Sequence, residues 1–359
     1  MGHEANEVAV DTKIFREGLS CLGKTFNNAR HAYLKLNVEA KALTTLKGVE
    51  RYTYLQYLDV SNNKLTCLVH LGGIKHLIKL NASNNCLKKM FDFSPMANLE
   101  VVDYSHNQIE VIENVIFNPY VKHLCLDDNK IKKIEGLFSN KSLTSLSLRQ
   151  NAIVLIENLD GLNLEELNLS QNNISKISGL GKLPNLKELD LSKNHIQHLV
   201  GLQNIESLRF LNLSLNNIVK VLQLQFIERL NLLTELDFSF NPIQNKKHYR
   251  SQVLYHIPQL RMLDGVLIIA EEKAKSENLH GVDLKDRESI FKAMLPQENF
   301  VDRRIAVFED IEDESEDENE YEKQGSMGEL GSVRGSNVTD HEFSARQYVG
   351  ELFNRVAAP

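Results

Sequence analysis

The stretch of this sequence with the clearest potential for chemistry is GLSCLGKT, Gly18–Thr25, which follows the phosphate-binding pattern G-x-x-x-x-G-K-[ST]. In such a loop the backbone N–H groups hold phosphate oxygens, the lysine reaches the β- and γ-phosphates, and the hydroxyl binds Mg²⁺. Nucleotide binding at these residues is therefore the first hypothesis that the sequence raises.

The residues on either side of this stretch do not suit a nucleotide fold. Such a fold needs a buried strand immediately before the first glycine and a helix that starts at the lysine. The preceding DTKIFRE is too polar for a central parallel strand. A repeated pattern begins eight residues after the stretch, at Tyr33, which leaves no room for a helix and a crossover.

We expect the N-terminal segment to cover the open end of the repeats instead. Phe15, Leu19 and Leu22 would pack against the first repeat, and Gly18 and Gly23 would lie in turns. Nucleotide binding is kept as a minor alternative.

The middle of the chain repeats one pattern, L-x-x-L-x-L-x-x-N-x-L, nine times. One copy is LQYLDVSNNKL, which begins at Leu55. The asparagines recur every 21 or 22 residues, with a last interval of 25. A degenerate copy at residues 33–43 has Lys41 in place of asparagine, as is typical of a capping repeat. The nine are Asn63, Asn85, Asn107, Asn129, Asn151, Asn172, Asn194, Asn216 and Asn241.

Each repeat is expected to form one coil of a solenoid. The Leu-x-x-Leu-x-Leu portion predicts a short strand in a parallel sheet, and apolar residues spaced by three after the asparagine suit 3₁₀-like turns on the outer side. A buried asparagine amide can satisfy backbone groups of its own coil and the next, so we interpret it as structural. The long interval before Asn241 predicts one true helix, with inward residues between Val221 and Leu230.

The 22-residue coil resembles the phosphatase-regulatory type of leucine-rich repeat, and HYRSQVLYHIPQLRMLDG looks like the C-terminal cap of that type. The opening, EGLSCLGKTFNNARHAYLKL, resembles the leucine-rich-repeat proteins of axonemal radial spokes and the repeat half of leucine-rich-repeat guanylate kinases of sperm flagella. We find no guanylate kinase domain after residue 265, so the resemblance does not imply that activity. The fold it implies is α/β: a right-handed leucine-rich-repeat solenoid of about ten coils with a concave parallel sheet, capped at both ends, then a helical and partly disordered acidic tail.

The sequence divides into six segments. Ten of the fourteen residues 309–322 are acidic, which favours disorder. The segments are an N-terminal cap (1–32), the repeats (33–247), a C-terminal repeat cap (248–265), a helical extension (266–308), an acidic disordered linker (309–340) and an amphipathic helix (341–359). The last helix carries an apolar face suited to docking on a partner or back on the solenoid, formed in part by Val349, Leu352, Phe353 and Val356.

Composition narrows the function classes. The net charge is −7, of which residues 302–322 supply −9, so the remainder is nearly neutral and has no basic stripe for nucleic acid. The sequence contains no run of 18 apolar residues, which a membrane-spanning helix would need. The polar N-terminus is unlike a secretory signal. The four cysteines show no CxxC spacing, which suggests free thiols in a reducing, cytoplasmic environment.

The candidate binding residues occupy outward positions of the expected concave face. Leu215 and Phe240 hold matching positions in consecutive coils near Phe210, which favours a protein-binding anchor, although the C-terminal segment could cover them instead. The acidic members suit a basic partner or form a solvated face. No catalytic residues, cofactor or metal site are expected. The candidates are Tyr57, Glu166, Glu188, Phe210, Leu215, Asp237 and Phe240.

These observations predict a protein–protein interaction scaffold rather than an enzyme. The resemblance implies a structural or adaptor component of the ciliary or flagellar axoneme, with axonemal proteins as partners. The alternative is a regulatory subunit that binds a phosphatase catalytic subunit through concave aromatic and acidic residues.

Overall fold

A computed structural model describes residues 13–24, 30–246 and 248–279, and the following account concerns those residues. Their strands form one sheet in which neighbours follow chain order. The strands are β1 (Leu19–Lys24), β2 (His31–Asn37), β3 (Tyr57–Asp59), β4 (Lys79–Asn81), β5 (Val101–Asp103), β6 (His123–Cys125), β7 (Ser145–Ser147), β8 (Glu166–Asn168), β9 (Glu188–Asp190), β10 (Phe210–Asn212), β11 (Glu235–Asp237), β12 (Met262–Leu263) and β13 (Val266–Leu267).

The sheet is parallel from β2 to β12, and the register advances by one repeat from strand to strand, as in the pairing of Leu58 with Leu80. This confirms the predicted solenoid. The middle residue of each repeat strand points into the core, and the first and third residues face outward on the concave side, because side chains alternate along a strand. Two antiparallel strands, β1 and β13, close the two ends of the described sheet.

Helical structure in the described residues is short. The α-helices are α1 (residues 13–18), α2 (Tyr249–His256) and α3 (Ala270–Leu279). Short 3₁₀-helices lie at Val49–Arg51, Val69–Gly73, Val115–Phe117, Val221–Phe226 and Pro242–Asn245.

The prediction of an α-helix in the longest repeat is wrong. Residues 221–226 form a 3₁₀-helix instead, although Val221, Leu224, Ile227 and Leu230 are all buried as expected. The reason lies in their spacing: residues three apart share one side of a 3₁₀-helix, which has three residues per turn, but drift around an α-helix.

Both ends of the core are covered. At the N-terminal end Phe15 of α1 is fully buried. At the C-terminal end α2 buries Tyr249 and Val253, and Leu263 of β12 continues the inward column of leucines. Asp264 follows Leu263 as Asp237 follows Leu236 in β11, and its carboxylate accepts from the backbone N–H of Phe238 at 2.8 Å and from the hydroxyl of Tyr249 at 3.3 Å.

Candidate functional site

The repeated asparagines have the structural role that the sequence predicts. In the coil that holds Asn172, Oδ1 accepts the N–H of Ile153 in the preceding coil at 3.0 Å. Its Nδ2 lies 2.9–3.2 Å from three carbonyl oxygens, those of Leu148, Leu169 and Ser170. The other eight repeat the arrangement, so these amides join neighbouring coils and leave no group for chemistry.

The residues before the asparagines form a ladder of exposed and half-buried side chains at the carboxyl edge of the strands, which we call the edge ladder. All nine members have left-handed backbone, with φ between 50° and 60°. Polar residues with short side chains tolerate this conformation best. In chain order the members are Asn62, Asn84, His106, Asp128, Gln150, Gln171, Lys193, Leu215 and Phe240.

Polar contacts connect most of the edge ladder. Asn84 donates to Asn62, and His106 Nδ1 lies 2.5 Å from Asp128. Gln150 donates to Asp128 at 2.9 Å. With its amide nitrogen toward Gln150 Oε1, at 3.0 Å, Gln171 extends the series and accepts from Lys193 Nζ at 3.0 Å. The last two members of the edge ladder are apolar and continue no polar contact of this series.

Leu215 and Phe240 end the edge ladder with apolar side chains. Their coils are joined at this point, because the N–H of Leu215 donates to the carbonyl of Ser239, the residue before Phe240, at 2.8 Å. Leu215 is 42% exposed and Phe240 is 73% exposed. These two large apolar residues have a conformation that disfavours them, and both leave much apolar surface in contact with solvent. We call Leu215 and Phe240 the apolar pair.

The first residues of the strands form a second ladder across the concave face, the strand ladder. Toward its C-terminal end the register places Glu166 beside Glu188, then Phe210, then Glu235. Tyr57 lies far away in the same ladder, on β3. The candidates in strands thus lie on the concave face, whereas Leu215 and Phe240 lie at its carboxyl edge. All of them except Tyr57 are near the C-terminal end.

The third residues of these strands differ in composition from the first residues, because carboxylates alternate with amides. Asn168, Asp190, Asn212 and Asp237 follow one another across β8 to β11. Asn212 Nδ2 donates to Asp190 at 3.3 Å, and the same contact joins Asn81 to Asp59. Burial nevertheless raises the pKa of Asp190, against hydrogen bonds from Ser192 that lower it.

Asp103, in this third position of β5, allows a test of how a buried carboxylate affects the stability of the fold. Burial raises the pKa of Asp103 above its ordinary value of 3.8, and the charge of Asp59 adds to the rise, while hydrogen bonds from Ser105 oppose it. The folded state therefore binds more protons than the unfolded state as the pH falls through the raised pKa, so acidification removes a cost of folding. Asn81 shows that an amide fits this position, accepting from Ser83 at 3.1 Å.

We expect Asp103→Asn to raise the midpoint of thermal unfolding at pH 7. The gain over wild type should shrink as the pH is lowered toward 4 and Asp103 becomes protonated in the folded wild type. Asp59→Asn is the matched control and should give no gain, because it removes an acceptor of Asn81. A pH-independent difference between Asp103→Asn and wild type would contradict this interpretation.

Six residues of the phosphate-binding pattern form an extended strand rather than a compact loop. Residues 19–24 are β1, in which Leu19 opposes Leu36 and Gly23 opposes Ala32. The turn expected at Gly23 is therefore wrong, and Gly18 ends α1 rather than forming a turn. Lys24 opposes His31 in the sheet, so it does not begin a helix.

Leu22 does not pack against the first coil as expected. It is 62% exposed, whereas Phe15 is buried and Leu19 packs partly against the core. In a strand, residues three apart point to opposite faces, so Leu19 and Leu22 cannot both face inward.

A group of exposed apolar residues on another edge was missed by the sequence analysis. Ile116, Phe117, Tyr120 and Phe138 are between 44% and 66% exposed. Ile116 and Phe138 are 22 residues apart and so occupy matching places in neighbouring coils. The signal available was an apolar residue immediately after an inward one, as in Leu137 followed by Phe138.

The described residues offer no group of three or more metal-binding side chains. No helix among them is long and apolar enough to cross a membrane. The candidate docking residues Val349, Leu352, Phe353 and Val356 lie outside the described ranges, as do the acidic linker and most of the helical extension.

Comparison with known proteins agrees with this geometry. One leucine-rich-repeat family model matches residues 138–287, and a second matches residues 54–74. The chain is a leucine-rich-repeat protein. Among solved structures, the leucine-rich-repeat domain of APL1B is similar with a TM-score of 0.50 and 26% identity, covering 58% of this chain and 61% of that one.

Several curated proteins match parts of the chain, and among them are the two kinds that the opening segment resembles. Leucine-rich repeat-containing protein 23 of Homo sapiens is 36% identical over 102 residues, which is 28% of this chain and 29% of that protein. The leucine-rich repeat and guanylate kinase domain-containing protein of Homo sapiens is 37% identical over 84 residues, 23% of this chain and 10% of that protein. The chain thus spans less than a third of either relative.

Proposed function

We propose that this chain is a non-catalytic scaffold that binds other proteins through the C-terminal end of its concave face. The observation that carries the proposal is the apolar pair, Leu215 and Phe240, which is exposed at the end of an otherwise polar edge ladder. Exposed apolar residues that are rimmed by polar ones are typical of protein-binding sites. The open, curved sheet offers a surface rather than an enclosed pocket, which suits contact with a macromolecule.

The proposed cellular setting is the axoneme of a motile cilium or flagellum, in a radial-spoke-like position. Support comes from the resemblance of the opening segment, including Gly18–Ser20 and His31–Tyr33, to radial-spoke leucine-rich-repeat proteins. The partial identity with leucine-rich repeat-containing protein 23 is consistent with this setting. The amphipathic segment 341–359 is proposed as a second contact with the same assembly.

The test is the behaviour of the tagged full chain in ciliated cells after detergent extraction. We expect it to stay with the sedimented axonemes and to leave them only in concentrated salt, because a docked scaffold is held by many surface contacts. Complete release into the detergent supernatant, together with a phosphatase catalytic subunit, would contradict the axonemal proposal and favour the regulatory-subunit alternative.

A further inference from the structure

The C-terminal end of the strand ladder contains like charges that the chain itself does not neutralise within that ladder. Glu166 and Glu188 occupy directly paired positions on β8 and β9, and Glu235 follows one strand beyond Phe210. Neighbouring strands lie about 4.8 Å apart, and like charges directly opposite one another destabilise a sheet. The adjacent column of third residues avoids this problem by alternating aspartate with asparagine.

The charges of Glu166 and Glu235 affect the protonation of Glu188 in the folded protein. The pKa of Glu188 is raised, first by burial and then by the negative charges of Glu166 and Glu235, while Lys187 lowers it. Lys187 is already engaged at the edge of the sheet, where its Nζ lies 2.6 Å from Glu165. A cation supplied from outside would therefore relieve a repulsion that the fold retains.

Apolar groups lie next to these carboxylates. The ring of Phe210 stands in the strand ladder between Glu188 and Glu235, and the apolar pair lies at the carboxyl edge of the coils that hold Phe210 and Glu235. A planar guanidinium can bind a carboxylate with two hydrogen bonds and also stack on an aromatic ring, which an ammonium group does less well. The arrangement fits arginine next to an apolar residue.

We propose that this end of the concave face binds a basic segment of a partner protein, with an arginine held by Glu166 and Glu188 against Phe210 and an apolar side chain packed on Leu215 and Phe240. This inference rests on the proposed scaffold function and adds the chemical class of the partner. It does not depend on the axonemal setting.

The experiment is a selection of random phage-displayed peptides on the purified full chain. We expect the enriched peptides to combine arginine with large apolar residues and to lose binding as salt is raised, since salt screens exposed charges. The same peptides should bind the double variant Glu166→Gln and Glu188→Gln at least 10-fold more weakly. The control double variant Glu110→Gln and Glu135→Gln, at exposed positions outside the strands, should bind them as wild type does.

Three outcomes would overturn the inference. They are enrichment of acidic or uncharged peptides, equal binding of the enriched peptides to the Glu166 and Glu188 double variant, and no enrichment at all. None of them affects the extraction experiment on axonemes, which uses no peptide. The partner chemistry and the proposed function can therefore fail separately.

Discussion

Asn172→Ala is expected to lower the free energy of unfolding by about 3 kcal/mol, since it leaves buried backbone groups without partners. The substitution removes the acceptor of the Ile153 N–H and the donor to three carbonyl groups in two coils. Each coil of a solenoid is held mainly by its neighbours, so the loss should weaken the junction between the coils on either side of Asn172. Denaturant unfolding of the full chain measures the effect.

Asn173→Ala is the matched control for this prediction. It is the same substitution one residue later, at a side chain that is exposed to solvent. We expect a change within about 0.5 kcal/mol, as for most surface substitutions. If the two variants unfolded at the same denaturant concentration, the amide of Asn172 would not be joining the coils as described.

The periodic part of the fold could be predicted from sequence because the same residue types recur at the same positions in each repeat. The inward leucines and the asparagine occupy fixed places in every coil. One atypical residue in a single coil therefore does not hide the pattern. The strand registers, the burial of residues such as Leu58 and Leu80, and the asparagine contacts all agree with that pattern.

The ends of the solenoid could not be predicted in the same way, because they occur only once. Nothing in LSCLGK shows the alternation that indicates a strand, and its pairing with β2 depends on the exposed sheet edge that it covers. Cys21 even adopts left-handed backbone within β1, with φ of 57°. The phosphate-binding spacing of Gly18, Gly23 and Lys24 is thus compatible with an entirely different local structure.

The placement of the candidate residues could be predicted in part, and their role in binding stays a prediction. Register alone placed Glu166, Glu188 and Phe210 on one face, because a repeat of known period fixes which residues stand side by side. The left-handed backbone of the edge ladder was not visible in the sequence, since Leu215 and Phe240 stand where other coils have Asn, His, Asp, Gln or Lys. The aromatic group around Phe117 and Phe138 was missed because it lies outside the strands.

A second large effect is expected at Phe240, whose substitution tests whether proteins bind at the apolar pair. Phe240→Asp places a charge at the most exposed member of the apolar pair, at a backbone conformation that aspartate tolerates better than phenylalanine. We therefore expect the midpoint of thermal unfolding to stay near that of wild type. Loss of a central anchor costs about 2 kcal/mol or more, which is about 30-fold in affinity.

The decisive measurement is quantitative capture of axonemal proteins by the tagged full chain, compared between wild type, Phe240→Asp and the control Phe138→Asp. Phe138 is 66% exposed, so the control makes the same change on a different edge of the solenoid. We expect that Phe240→Asp loses the captured proteins and Phe138→Asp keeps them, with all three chains folded. Full capture by Phe240→Asp, or its loss only in Phe138→Asp, would show that the C-terminal end of the concave face is not the binding surface.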